Sequence, residues 1–414
     1  MNHTPSFPAT ERITLAHDYL LVMRGAERTF AAMADLYSES PICTLLYDEL
    51  GTSRRFAGRS ITTSLLQHLG VGQSTFRRLL PLYPFAVEHM KLPESDIVIS
   101  SSSAFAHGVC APQGAIHVCY CYTPFRYAWY EEDRAIGETR PVLRSVLRRQ
   151  LRRMRRWDLA VSQRVDAYIA ISQLSRERIR RYYGRDAPVI HPPVETHRFG
   201  PEKPGDGLLV VSELVSHKRV EVALEAARVA RAPIRVVGSG PEHARLSEAY
   251  PEAEFLGRLD DEDLVELYAE ARAVIVPSTE EFGITAVEAQ AAGRPVIAAA
   301  AGGTLETVID GRTGRLARVD DVEAFTRAIE SIEELDFDPR HARENAERFS
   351  VSAFQHRLSN YVGELCSARA ESPIRAESSM RAEPPMTVTL NPPALTDGEL
   401  GAFDDLAVAP PIAV

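Results

Sequence analysis

Residues 273–310, AVIVPSTEEFGITAVEAQAAGRPVIAAAAGGTLETVID, decide the fold. Ala273–Pro277 is a short apolar run closed by Pro277-Ser278, the pattern of a strand buried on both faces of a parallel sheet. After two acids and Phe282-Gly283, the run Ile284–Ala292 is rich in helix formers and stops at Gly293, a residue suited to a helix C-terminus. Pro295–Ala300 is a second buried strand, and Gly302-Gly303-Thr304 leads into another helix. Two strand–turn–helix units therefore stand side by side, each with flexible residues ahead of a helix N-terminus. Unpaired N–H groups and partial positive charge at such ends favour a phosphate. Two carboxylates, Glu280 and Glu288, fall in this anion-favouring place with seven residues between them. Beside a phosphate cradle, carboxylates point to hydroxyl partners such as those of a sugar and a ribose.

A chain of 414 residues predicts about two domains with sizeable cores. Its hydrophobic share of 45% and charged share of 25% are those of an ordinary soluble protein. There is no run of 18 apolar residues, so no membrane-spanning helix is expected. The opening MNHTPSFPATER lacks a basic segment before an apolar core; no secretory signal is expected, and the cytoplasm is the default location. Cys43, Cys110, Cys119, Cys121 and Cys366 form no paired metal pattern, and Cys119-x-Cys121 reads as small packing groups in a strand. Charge is unevenly shared. Residues 1–200 hold 26 Lys+Arg against 19 Asp+Glu, and the remainder holds 21 against 38. Only the first half suits an anionic surface. The overall acidity and the lack of an aromatic–basic stacking platform speak against nucleic acid.

The first half starts with a strand, Ile13–His17, then His17-Asp18, Arg24-Gly25 and a helix from about Ala26 to Tyr37. Strand–glycine–helix is Rossmann-like, but one glycine and no fitting acid about 20 residues on make a nicotinamide cofactor a poor reading. Residues 61–92 carry many leucines and aromatics with Arg77-Arg78 among them; a helical excursion on this domain and an apolar, basic membrane-facing surface are both open. Asp96–Ser100 is a buried strand with a polar turn, Ser101–Ser103, at its carboxyl end, and His107 follows. Ligands of open α/β sheets bind outside the carboxyl ends of strands, so His107 is a candidate substrate-facing residue as well as a candidate for local packing. Ile116–Tyr120 is the next strand and runs into Tyr122-Thr123-Pro124-Phe125-Arg126-Tyr127-Ala128-Trp129. Seven arginines lie between Arg144 and Arg156, with Val146, Leu147, Leu151, Met154 and Trp157 at three- and four-residue steps. This is a basic amphipathic helix, either a contact with anionic lipid or a solvated helix whose stripe is core. Ala167–Ser172 is a further strand, and a polar linker at 194–206 puts a domain boundary near 200.

The strand–helix alternation restarts at Leu208–Ser212, followed by Glu213-Leu214-Val215-Ser216-His217-Lys218-Arg219. Ile234–Gly240 gives a strand with Gly238-x-Gly240 ahead of a helix, a candidate nucleotide-side wall. Phe255–Gly257, a helix Asp260–Ala271, the opening stretch and a helix Val322–Ile332 complete a second domain, 201–348. An amphipathic helix spans Ser352–Leu365, and residues 368–414 hold seven prolines and Arg-Ala-Glu at 369, 375 and 381 with no apolar period, the composition of a disordered tail.

Glu280-x7-Glu288 enclosing Phe282-Gly283, in register with Pro-Ser, Ala-Gly, Pro-Val-Ile and Gly-Gly, resembles the E-x7-E motif of retaining glycosyltransferases of family 4. The segment Tyr122–Trp129 is similar to one in their bacterial polysaccharide and O-antigen mannosyltransferases. The resemblance covers about residues 13–365 and implies two Rossmann-like, doubly wound α/β domains facing a central cleft (GT-B). The acceptor domain would be 1–200 and the donor domain 201–348, with a helix at 349–367 returning to the first. It implies retaining transfer of a sugar from a nucleotide-diphosphate donor, typically GDP-mannose, to a polyprenyl-linked saccharide, with no metal and no further cofactor. Glu280 would act at the sugar, with Tyr122 and His107 on the catalytic side. Lys218, Arg219, Gly238, Phe282, Gly283, Ile284, Thr285 and Glu288 would bind the donor, with Glu288 on the ribose; Gly25 and Arg126 would face the acceptor. The Arg144–Arg156 helix would meet the inner face of the plasma membrane. Two departures stand out: Tyr122 replaces the family's usual histidine, and Glu213 the usual phosphate-binding arginine, whose work Arg219 could take over. A family member using a UDP-sugar, and a non-catalytic nucleotide-sugar-binding scaffold, are the alternatives.

Overall fold

The computed structural model describes residues 11–70, 75–137, 139–200 and 205–370. The first sheet comprises β1 (Ile13–His17), β2 (Ile42–Thr44), β3 (Ile61–Thr63), β4 (Ile97–Ser102), β5 (Ile116–Cys121) and β6 (Ala167–Ala170), in the order β3-β2-β1-β4-β5-β6. The second comprises β7 (Leu208–Val211), β8 (Ile234–Val237), β9 (Glu254–Gly257), β10 (Ala273–Val276), β11 (Val296–Ala299) and β12 (Gly314–Ala317), in the order β12-β11-β10-β7-β8-β9. Every pairing is parallel. Both sheets wind alike: the chain starts in the middle, runs to one edge, then crosses back to fill the other half. The doubly wound α/β class read from the sequence is therefore present twice. In such sheets the crevice opens where the winding reverses, between β1 and β4 and between β7 and β10.

The central strands are apolar because both faces are covered; Ala273–Val276 and Val296–Ala299 are fully buried. The helix Val351–Ala370 lies against the first domain's helix Gly25–Leu36, burying Phe354, Leu358 and Val362 in that domain's core. The amide of Gln355 donates to the Ala32 carbonyl at 2.9 Å. Residues 368–370 close this helix, which corrects the tail reading for those three; the rest of that tail lies outside the described residues. Between 61 and 92 the chain forms edge strand β3, two 3-10 turns and the helix Tyr83–Glu88, a more broken path than the helical excursion expected. In the basic helix Arg144–Ser162, Leu147, Leu151, Met154 and Val161 are core, while Arg148, Arg149, Arg152, Arg153 and Arg156 face solvent.

At the first crevice the buried carboxylate of Asp18 organises the loop after β4. Oδ2 accepts the N–H groups of Ser103 and Ala104 at 2.6 and 3.0 Å, and Oδ1 those of Phe105 and Ala106 at 2.9 and 2.5 Å. This explains why Ser101 and Ser102 continue the strand: with the loop anchored, their hydroxyls are buried and find partners in His17, Tyr122 and Asp18. Replacing Asp18 with Ala strands these donors without water. Each stranded donor costs about 1–3 kcal/mol, so Asp18→Ala is expected to lose at least about 3 kcal/mol of stability in urea unfolding. A loss under about 1 kcal/mol would show that the loop rearranges without it.

Candidate active site

The two switch points face each other. Gly25 opens the first domain's helix Gly25–Leu36, and Ile284 opens the second domain's helix Ile284–Ala291. A Cβ on Gly25 would stand 3.0 Å from Ile284 Cδ1, so the glycine allows the two helix N-termini to approach. Gly283 has φ +94, a left-handed value open to glycine, and no side chain caps the helix it precedes.

Glu280 leaves the loop after β10, and Lys218 the loop after β7. Lys218 Nζ donates to both Glu280 oxygens, at 2.9 and 2.8 Å, and Ser278 Oγ donates to Oε1 at 2.5 Å. Burial pushes the Glu280 carboxyl up, but attraction to Lys218 and the bonds from Lys218 and Ser278 outweigh it, and its pKa lies below the ordinary value. Glu288 accepts from Tyr268 Oη at 2.7 Å. There burial wins over the tyrosine bond and the fields of Arg28 and Arg198, so its pKa is raised. The sequence singled out Glu280, Lys218 and Glu288 but not Ser278 or Tyr268; Tyr268 lies in a helix 20 residues before its partner, where no local pattern marks it.

Several candidates stand elsewhere. His107 is buried, its Nε2 3.0 Å from Asp158 and its Nδ1 3.1 Å from Tyr168 Oη, so it faces the core behind β5 and β6 and not the cleft. Tyr122 is also turned inward, its hydroxyl 2.9 Å from both the Ala26 carbonyl and Ser101 Oγ. Arg219 takes a left-handed φ of 53, and its side chain leaves Lys218 for Asp320, with Nε 2.9 Å from Oδ1. It lines a separate cavity of about 380 Å³ with Arg245 and Tyr250, to which neither Glu280 nor Lys218 contributes. Gly238, at φ +139, is required by crowding, since a Cβ would lie 1.8 Å from the Ser212 carbonyl oxygen, and its N–H is spent on Gly257 O at 2.8 Å. The Phe282 ring packs into the first domain's core beside His191 and Phe349, leaving only its backbone at the cleft. Thr285 Oγ1 reaches Val211 O at 3.5 Å. Among the described residues no three His, Cys, Asp or Glu side chains converge as a metal site.

Comparison with known proteins agrees with this geometry. A family model for Glycosyltransferase Family 4 matches residues 43–198, and one for Glycosyl transferases group 1 matches 195–349, the two meeting between the sheets. The chain belongs to the glycosyltransferases built from this pair of domains. It is 29% identical over 237 residues to the GDP-mannose-dependent alpha-(1-6)-phosphatidylinositol monomannoside mannosyltransferase of Mycolicibacterium smegmatis, covering 49% of this chain and 58% of that one. It is 39% identical over 120 residues to the D-inositol 3-phosphate glycosyltransferase of Corynebacterium aurimucosum, covering 27% and 28%. The chain thus spans less than two thirds of the length of these relatives. The structure of Anabaena HepE in complex with UDP-glucose superposes with a TM-score of 0.64 at 19% identity, covering 86% of this chain and all of that one, a likeness of fold.

The Lys218–Glu280 pair gives a signed expectation. Because the folded carboxyl pKa is depressed, the pair contributes stability above the ordinary carboxyl range, and that contribution is lost as pH falls through the lower folded value. In Lys218→Ala, only the Ser278 bond and the field of His217 still oppose burial at Glu280, so its pKa rises and this acid-side dependence should weaken or reverse. Urea unfolding at neutral and acid pH reads the change; an unaltered slope would mean that the pair does not set the Glu280 charge.

Proposed function

We propose that this glycosyltransferase moves mannose from GDP-mannose, with retention, onto a saccharide carried by a polyprenyl diphosphate, as in exopolysaccharide or O-antigen synthesis. The observation that carries the reading is the grip of Lys218 on Glu280 at the second switch point. As the bond between the sugar and the β-phosphate oxygen breaks, negative charge grows on the leaving diphosphate. Lys218 and the uncapped N–H groups at Gly283–Thr285 are the groups available to stabilise it. Glu280, released from the lysine, accepts from a hydroxyl of the sugar, and Glu288 from the ribose. No second carboxylate is assigned to a double displacement, so the acceptor attacks on the leaving-group face and its proton passes to the departing phosphate.

The mannose donor draws on the Tyr122–Trp129 segment and on the printed activity of the Mycolicibacterium relative. The lipid-linked acceptor draws on the basic first half and the five solvent-facing arginines of the helix Arg144–Ser162. No helix among the described residues is long and apolar enough to cross a membrane. A peripheral contact with the inner face of the plasma membrane therefore completes the proposal.

Released diphosphate measured over GDP-mannose, UDP-glucose, UDP-galactose and UDP-N-acetylglucosamine, with membrane extract as acceptor, tests the donor. Turnover of GDP-mannose alone is expected, with Glu280→Gln slower by about 100-fold or more. Turnover of a UDP-sugar would discard mannose, and silence across the panel with nucleotide still bound would favour the scaffold reading. For the membrane contact, co-sedimentation with phosphatidylglycerol vesicles at low salt should be lost when Arg148, Arg149, Arg152 and Arg153 are changed to Glu. No binding by the wild type overturns that part.

A further inference from the structure

Adjacent carboxylates leave the loop after β10 for different domains. Glu280 turns to Lys218 within its own domain, while Glu281 crosses to the first domain and pairs with Arg178 of the helix Gln173–Tyr183. Tyr130 Oη donates to Glu281 Oε1 at 3.0 Å. The side chains of Arg178 and Glu281 are 18% and 25% exposed, so this pair is held largely out of water, unlike the exposed pair of Arg28 with Asp261.

The contact extends beyond Arg178. Its guanidinium carbon lies 3.9 Å from the centre of the Tyr130 ring, and Nη1 donates to Tyr130 Oη at 2.9 Å. Tyr130 has one proton to give and a carboxylate only accepts, so that proton is committed to Glu281. Thr123 Oγ1, 2.9 Å from the same hydroxyl, is then the donor in their bond. Burial, followed by the field of Glu281, pushes the Tyr130 pKa up, so the hydroxyl keeps the proton it donates. Thr123 belongs to the loop after β5, and Ser175 Oγ, on the helix of Arg178, donates to the carbonyl of Tyr122 beside it. Hydrogen bonds therefore run unbroken from the loop after β5, through Tyr130 and Arg178, to Glu281. The next residue back along the chain is Glu280, and with it Lys218.

We propose that Glu281 is a positioning residue for the transfer: by holding Arg178 and Tyr130 it keeps the first domain's loop after β5 in register with the Glu280–Lys218 pair of the second. The proposal deepens the glycosyltransferase reading of that site and rests on it. Transfer brings a hydroxyl to a carbon held by another substrate, so two walls built by different domains have to stand at a fixed separation. A displacement of about 1 Å can slow such a step by about 100-fold. The bond from Gly303 N–H to Glu280 O fixes one wall within its own sheet, and the contacts of Glu281 fix that wall against the other. Lys218 and Glu280 grip each other without Glu281, so nucleotide affinity and rate should separate.

Glu281→Ala, Arg178→Ala and the double variant test this, with whichever nucleotide sugar the wild type turns over and with nucleotide affinity measured by calorimetry. Each single change is expected to lower the rate at saturating donor by about 10-fold or more, with half-saturation and nucleotide affinity unchanged. The double variant should be no slower than the slower single one, because all three cut the same link. Unchanged nucleotide affinity also reports an intact fold. A normal rate in Arg178→Ala, losses that multiply in the double variant, or parallel loss of nucleotide affinity would each overturn the proposal. Amide hydrogen exchange gives a readout that needs no turnover. In Glu281→Ala, residues 122–130 and 279–283 should exchange faster together although they belong to different domains, and a change confined to 279–283 would overturn the proposal. A wild type that turns over no nucleotide sugar, with the two segments still responding together, would keep the coupling and lose the transfer reading.

Discussion

The cleft depends on two loops of the second sheet lying backbone against backbone. Gly303 N–H donates to Glu280 O at 2.8 Å, and there is no room for anything larger: a Cβ at 302 would be 2.3 Å from that oxygen, and one at 303 would be 2.2 Å from Phe282 Cα. With its backbone pinned, Glu280 directs its carboxylate toward the loop after β7, where Lys218 grips it. The same contact turns Phe282 the other way, into the core of the first domain. One short loop thus aims the carboxylate and fastens the two domains together.

That fastening is uneven in kind. Phe282 and Phe349 meet at a 5.3 Å ring separation, Val194 N–H donates to Phe349 O at 2.8 Å, and the helix Val351–Ala370 is buried on the first domain. Around this apolar hinge stand polar pairs: Arg28 with Asp261, Arg178 and Tyr130 with Glu281, His191 with Glu306. Arg28–Asp261 is solvent-exposed and contributes only about 0–1 kcal/mol, whereas Arg178–Glu281 and His191–Glu306 are partly buried, so the apolar hinge and these two pairs set where the domains join.

What the sequence made legible follows from range. β10, β11 and the helix between them are specified within a few residues of themselves, and so are Glu280, Lys218 and Glu288, which fall at fixed places on those units. β2, β3 and β12 escaped because Ile42–Thr44, Ile61–Thr63 and Gly314–Ala317, with its glycine and arginine, lack the continuous apolar run that marks the equally short β10 and β11. His107 misled for a different reason. It follows β4 at the right end, but its ring is claimed by Asp158, 51 positions on and on another helix. Asp18, Ser278 and the Glu281–Arg178 pair were out of reach too, since a charge names its partner only once the fold has brought the two together.

The site also accounts for its own missing cation. Glu213 stands where the family resemblance implies an arginine, and it forms no ion pair among the described residues; Arg219, the substitute expected from the sequence, belongs to Asp320. Among the described residues Lys218 is then the second domain's one cation paired with Glu280, and it is already engaged. A buried carboxylate left without it would be expensive, which holds the two together. On the proposed reading, a nucleotide sugar would relieve both ends at once, its phosphate taking the lysine and its hydroxyls the carboxylate. The exchange leaves neither group uncompensated. An anion without hydroxyls, by contrast, would draw Lys218 away and leave Glu280 buried and unpaired, so the pair itself discriminates in favour of a ligand that carries both.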